Sequence, residues 1–195
     1  MFMKKTFIKT ILVFVACTFY KEINAQTWQP VGVEPINQVN PSGESNSSIE
    51  LDPYGSPYVA FADLFPGDEL PRLTVKRYDG DRWVAVGQEK FSRGTPYDIK
   101  MAFSSNETYA FYADGTDTLQ ATVKKYSGAL WETVGPERFT IGKITTKGII
   151  VANGIPYIAY ADLATPGTVK VMKFNGSSWE SVGAGFQGDV QMVKY

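Results

Sequence analysis

Hydrophobic and polar residues alternate along most of this chain in short segments, separated by clusters of Gly, Pro, Asn, Asp and Ser. Ile99-Lys100-Met101-Ala102-Phe103 alternates and is followed by a Ser104-Ser105-Asn106 turn. Tyr109 to Ala113 is a nearly continuous apolar run, the pattern of a strand buried on both faces. Ala121 to Tyr126 alternates again, Ser127-Gly128 turns the chain, and Leu130 to Val134 forms a last segment. Val, Ile, Tyr, Phe, Thr and Trp fill the segments, which therefore predict four short antiparallel strands. Beyond the first 25 residues no window carries a helical period.

The same set of segments recurs about every 48 residues. Trp83-Val84-Ala85-Val86-Gly87, Trp131-Glu132-Thr133-Val134-Gly135 and Trp179-Glu180-Ser181-Val182-Gly183 share the frame W-x-x-V-G, and Trp28-Gln29-Pro30-Val31-Gly32 is an earlier copy. Between them, Pro57 to Asp63, Thr108 to Asp114 and Pro156 to Asp162 repeat a second phrase. A period of this length signals a repeat architecture, and four strands per unit is the arithmetic of a β-propeller blade. The predicted fold is an all-β propeller with about three complete four-stranded antiparallel blades, at approximately 47–87, 97–135 and 145–183. Partial strands at both ends leave the ring incomplete: a lone outer strand at 27–32 and a lone inner strand at 189–193. On this reading the chain is a fragment or truncated product. Its two open blade faces are expected to be covered by remaining blades or another copy.

The recurring residues have structural explanations. Trp28, Trp83, Trp131 and Trp179 are expected to fill the seams between blades, with Phe91, Phe139 and Phe186 as plugs beside them. Gly80, Gly128 and Gly176, each three residues before a tryptophan, fit hairpins that need positive φ. Asp63, Asp114 and Asp162 are expected to accept backbone N–H groups in the turn after the second strand. The competing reading is a ring of metal ligands or catalytic acids around one mouth.

The first unit departs from the others in length. Trp28 to Trp83 spans 55 residues against 48 for the later intervals. Four of the extra residues fall in the Val33–Ser47 loop and three in Leu64 to Pro71. Both enlargements should lie on one face, and loops on a rigid frame are where binding residues concentrate. Asp63, Phe65, Asp68, Glu69 and Arg72 are therefore the candidate ligand contacts, against the alternative that longer loops merely cover the first blade.

Composition narrows the chemistry. Residues 1–25 pair a basic start (Lys4, Lys5, Lys9) with an apolar stretch from Thr10 to Tyr20 and a small-residue cleavage site at Ile23-Asn24-Ala25. This predicts a signal peptide and a secreted or cell-surface bacterial protein, with a lipoprotein attached through Cys17 as the alternative. Removing the leader takes four lysines and one glutamate, leaving a net charge of −4. Such a chain carries no electrostatic footprint for nucleic acid, and no transmembrane span is predicted. Cys17 is the only cysteine and histidine is absent. Ser-His-Asp and Cys-His catalysis and nitrogen/sulfur zinc sites are thus excluded, and no metal or cofactor is expected. What remains is carboxylate chemistry or oxygen-ligated calcium, and no D-x-D-x-D-G calcium loop appears in the sequence.

Pro156-Tyr157-Ile158-Ala159-Tyr160-Ala161-Asp162, Val169 to Trp179 and Val182-Gly183 resemble the "PYVAY-D … YNGSSW … VG" repeats of secreted Bacteroidota-type propellers. That resemblance implies an extracellular, kelch-like or galactose-oxidase-like propeller and no particular activity. The expected function is non-catalytic, with loops presented to an extracellular glycan or protein. The alternative is part of a carboxylate-dependent carbohydrate-active enzyme whose site lies in missing blades.

Overall fold

The computed structural model describes residues 29–32, 36 and 46–188. The leader, Trp28, the start of the 27–32 strand and the 189–193 strand lie outside the described residues. The chain divides into residues 1–30, of which only Gln29 and Pro30 are described, and residues 31–195, which contain every strand below.

Three sheets follow one another along the chain. The first is β1 (Ser47–Leu51), β2 (Pro57–Asp63), β3 (Arg72–Tyr78) and β4 (Trp83–Ala85). The second is β5 (Pro96–Ser104), β6 (Glu107–Asp114), β7 (Gln120–Tyr126) and β8 (Trp131–Thr133). The third is β9 (Ile144–Ala152), β10 (Ile155–Asp162), β11 (Thr168–Phe174) and β12 (Trp179–Ser181). Each is a meander in which every strand pairs antiparallel with its sequence neighbour. A short β13 (Phe186–Gln187) returns to pair with β11, Phe186 opposite Val169. This is the β-propeller class, with a ring that the described residues do not close.

The inner strand β5 adjoins both β1 and β9, and Leu51, Met101, Phe103, Ile149 and Val151 line a cavity of about 140 Å3 among them. Strand β6 explains its apolar run: every residue from Thr108 to Asp114 is buried. Ala110 and Tyr112 pack towards the first sheet, with Ala60, Leu73, Val75 and Val86. Phe111 and Ala113 pack the other way, with Ile144, Ile149, Ile158 and Tyr160 of the third sheet. A middle sheet has no solvent face, so its second strand cannot alternate in polarity.

One contact recurs at each seam. The indole Nε1 of Trp131 donates to Val86 O at 2.7 Å, that of Trp179 to Val134 O at 2.8 Å, and that of Trp83 to Val31 O at 2.9 Å. The tryptophan of one unit is thus tied to the W-x-x-V-G valine of the unit before. Phe91 stacks on Trp131 with centroids 4.1 Å apart, and Phe139 on Trp179 at 4.9 Å. Tyr126 and Phe174 tilt against the same indoles, with centroids 5.6 and 5.5 Å away. The glycines after Val86 and Val134 are closely approached in this arrangement: a Cβ at Gly87 would lie 2.6 Å from the Tyr126 ring, and one at Gly135 3.0 Å from the Phe174 ring. The hairpins before the tryptophans place Gly80, Gly128 and Gly176 at φ of 106°, 101° and 101°.

The seam contact predicts a graded response at Trp131. Trp131→Phe keeps a ring but deletes the donor and should cost about 1 kcal/mol. Trp131→Ala removes the ring as well and should cost about 3 kcal/mol. Equilibrium urea unfolding measures both; a Trp131→Phe variant as stable as the parent would show that the N–H bond adds nothing.

Candidate functional site

The residues singled out in the first unit are brought together only in part. In the loop from Leu64 to Pro71, Asp68 Oδ2 accepts the Phe65 N–H at 2.8 Å and pairs with Lys90 Nζ at 2.5 Å. Lys90 Nζ also lies 3.7 Å from the Phe65 ring centroid. Bonding to Lys90 and to the Phe65 amide holds the Asp68 carboxyl below its ordinary range. Glu69 and Arg72 are exposed. Asp63 is buried in the sheet, where its Oδ2 accepts the Thr74 hydroxyl at 2.9 Å.

The second unit repeats this latch. Asp117 pairs with Arg138, and the backbone N–H groups of Lys90 and Arg138 donate to Thr74 Oγ1 and Thr122 Oγ1 at 2.9 and 3.0 Å. Each latch ties the loop between second and third strands to the segment leaving its own unit. The Phe65–Asp68–Lys90 group is therefore built as a loop fastening.

The repeated aspartates differ in what they hold. Asp114 Oδ1 accepts Thr116 N–H at 2.9 Å, and Asp162 Oδ1 accepts Ala164 N–H at 2.9 Å. At Asp63 the bond to Thr74 stands instead, and the loop amide of Phe65 goes to Asp68. Among the described residues no three acidic side chains gather as metal ligands.

The third unit departs from the pattern at the face it turns to the second. In the first two units a lysine on the third strand pairs with a glutamate from the exit loop: Lys76 with Glu89 at 3.4 Å and Lys124 with Glu137 at 2.5 Å. Lys124 Nζ also donates to Thr133 Oγ1 at 2.8 Å, so this pair fills the seam. In the third unit the register position of Lys124 is Met172, and that of Thr122 is Lys170. The exit loop Gly183-Ala184-Gly185-Phe186 is one residue shorter than Gly135–Phe139 and has no glutamate.

A cavity of about 410 Å3 results, lined among others by Phe139, Thr140, Tyr160, Asp162, Lys170 and Met172. Lys170 Nζ pairs with Asp162 Oδ2 at 2.5 Å. That bond, with the Ala164 N–H, holds the Asp162 carboxyl below its ordinary range, and Asp162 in turn raises Lys170. Tyr160 Oη donates to Met172 Sδ at 3.5 Å, and burial pushes its phenol upward. In the second unit the corresponding oxygens, Tyr112 Oη and Asp114 Oδ2, are buried with no bonding partner among the described residues. The Thr122 hydroxyl beside them accepts from Arg138 instead. Lys170 thus bonds the carboxylate oxygen, Asp162 Oδ2, whose counterpart Asp114 Oδ2 has no partner among the described residues.

The cavity offers one carboxylate, one ammonium and two aromatic rings, a set that can grip hydroxyl groups and the apolar face of a ring. Among the described residues of the lining, Asp162 is the one carboxylate. Sequence reading took Asp162 as structural and missed Lys170 and Met172. The signal was the change from Thr-x-Lys in two units (Thr74/Lys76, Thr122/Lys124) to Lys-x-Met in the third.

No protein-family profile matches the sequence, and no curated protein is similar to it. Among solved structures the chain is similar to an α-L-arabinofuranosidase (CtGH43) from Clostridium thermocellum, at 15% identity and a TM-score of 0.50. The match covers 77% of this chain and 60% of that one. The likeness shows the fold, that of a β-propeller.

The ion pair sets a pH dependence of stability. Asp162 is shifted down, so its contribution is present above the unfolded carboxylate range, near about pH 4, and is lost as pH falls through the folded value. Glu137, bonded to Lys124, acts with the same sign. Lys170 is shifted up, so its contribution holds below about pH 10 and is lost as pH rises further. With no histidine, the thermal midpoint should be flat from about pH 5 to 9. Asp162→Asn should flatten the acid limb in melts recorded across pH; an unchanged limb would show that the pair contributes nothing.

Proposed function

We propose that this protein is a carbohydrate-binding propeller segment that holds a saccharide in the cavity between its second and third sheets without hydrolysing it. The observation that carries the reading is the replacement of a filling Lys–Glu pair by Met172, Lys170 and a shortened glycine-rich loop. That change opens about 410 Å3 around a lone carboxylate, within the size range of small-ligand sites. Asp162 and Lys170 serve as a paired acceptor and donor for adjacent hydroxyls, and Phe139 and Tyr160 supply apolar ring surface. An acid catalyst must keep its proton near neutral pH, whereas Lys170 keeps Asp162 ionised. The leader pattern at residues 1–25 suits a ligand met outside the cell.

A second reading is a carboxylate-dependent enzyme whose other catalytic group lies outside the described residues. It is favoured by the similar structure being that of an arabinofuranosidase. The two separate in one experiment: oligosaccharides are titrated calorimetrically into the protein and assayed in parallel for released reducing ends. Met172→Lys, which restores the residue of the other units, should weaken binding at least about tenfold while leaving circular dichroism unchanged. Hydrolysis that disappears in Asp162→Asn would overturn the binding reading, and binding indifferent to Met172→Lys would remove the cavity as its site.

A further inference from the structure

The seam contact has three components in each unit: the valine carbonyl and glycine of W-x-x-V-G, and the phenylalanine of the exit loop. Val86, Gly87 and Phe91 receive Trp131 in this way, and Val134, Gly135 and Phe139 receive Trp179. The third unit builds the same three components from Val182, Gly183 and Phe186. Phe186 stands opposite Val169 in β11, and the Phe139 N–H correspondingly bonds Ala121 O in the second unit. The one-residue deletion in the loop has therefore been absorbed with the Phe186 backbone kept at the register position of Phe139.

The surroundings differ. Val86 and Val134 are 7% and 8% exposed, whereas Val182 is 42% exposed and Phe186 44%. A Cβ at Gly87 or Gly135 would lie 3.3 or 3.2 Å from an indole, whereas one at Gly183 would meet no atom within 4 Å.

We propose that Val182, Gly183 and Phe186 form an indole-binding site whose occupant is the fourth-strand tryptophan of a further four-stranded unit of this same W-x-x-V-G type. Two facts argue against a second copy of the chain docking through its first sheet. Trp83, the indole such a copy would offer, already donates to Val31 O. Val59 and Phe61, on the sheet face corresponding to that of Ala110 and Tyr112, are only 9% and 5% exposed. The geometry therefore calls for a unit with an uncommitted indole and an open apolar face, added in the direction that the first two seams define.

The test is an extension with the protein's own repeat. A second copy of residues 143–187 is joined directly after Gly188, in register with the segment that follows Gly142. The tryptophan emission should shift to shorter wavelength relative to the sum of the parent and an unfolded unit. Phe186→Ala should lower the thermal midpoint of the extended protein by several degrees and that of the parent by clearly less. An added unit that stays unfolded by circular dichroism, or a Phe186→Ala loss equal in both proteins, overturns the proposal. Light scattering should find the parent monomeric; a parent dimer that Phe186→Asp dissolves would place a second copy at the site and overturn the choice of occupant.

Discussion

The hydrogen bond from each tryptophan to the valine carbonyl of the preceding unit sets the relation between successive sheets. The acceptor belongs to the backbone, so it is fixed by the strand and not by a rotamer. The glycine beside it lets the indole approach to a distance at which a Cβ would be crowded, 3.1–3.3 Å from the ring. The stacked phenylalanine and the tilted Tyr126 or Phe174 then both pack against the ring. Once the outer rim is fastened in this way, the second strands of neighbouring sheets face each other at packing distance. Ala60, Leu73 and Val75 then meet Tyr112, and Phe111 meets Ile158 and Tyr160. Interior packing tolerates little slack, so this tie is what allows small and large side chains to interlock across each seam.

Because that fastening lies at the rim, the seam inward of it is free to change. Lys124, Glu137 and Thr133 fill one seam with a bonded polar cluster. The next keeps the same tryptophan, carbonyl and phenylalanine, yet Met172 and Lys170 leave a cavity. A cavity has opened there without loss of the contact that orients the sheets. The loop latches Asp68–Lys90 and Asp117–Arg138 show the same separation, being built from side chains that the third unit's shorter exit loop does without.

The strand pattern, the period and the sheet order were legible in the sequence because each rests on local residues: alternation, turn residues, and an apolar run wherever a strand is covered twice. The cavity was not, because it depends on which side chains meet across a seam. Lys170 and Met172 become informative only when set in register with Thr122 and Lys124 and seen to face the segment around Phe139. Length differences did draw attention to the loop at Leu64–Pro71, but its partner Lys90 lies 22 residues further on, joined through space. The same loop explains why Asp63 differs from Asp114 and Asp162. With Asp68 taking the Phe65 amide, the Asp63 carboxylate turns to the Thr74 hydroxyl instead. Phe186, three residues past its glycine where Phe139 is four, reaches the corresponding place because β13 pairs with β11.

The burial of the whole of β6 has a consequence for how the molecule comes apart. Each seam joins only adjacent sheets, so cohesion accrues pairwise, as in a linear array of nearest neighbours. Of the three sheets, the middle one is held from both sides through Ala110 and Tyr112 on one face and Phe111 and Ala113 on the other. Opening should therefore begin at either outer sheet and reach β6 last, making its amides the kinetic core of the structure and the slowest to exchange with solvent.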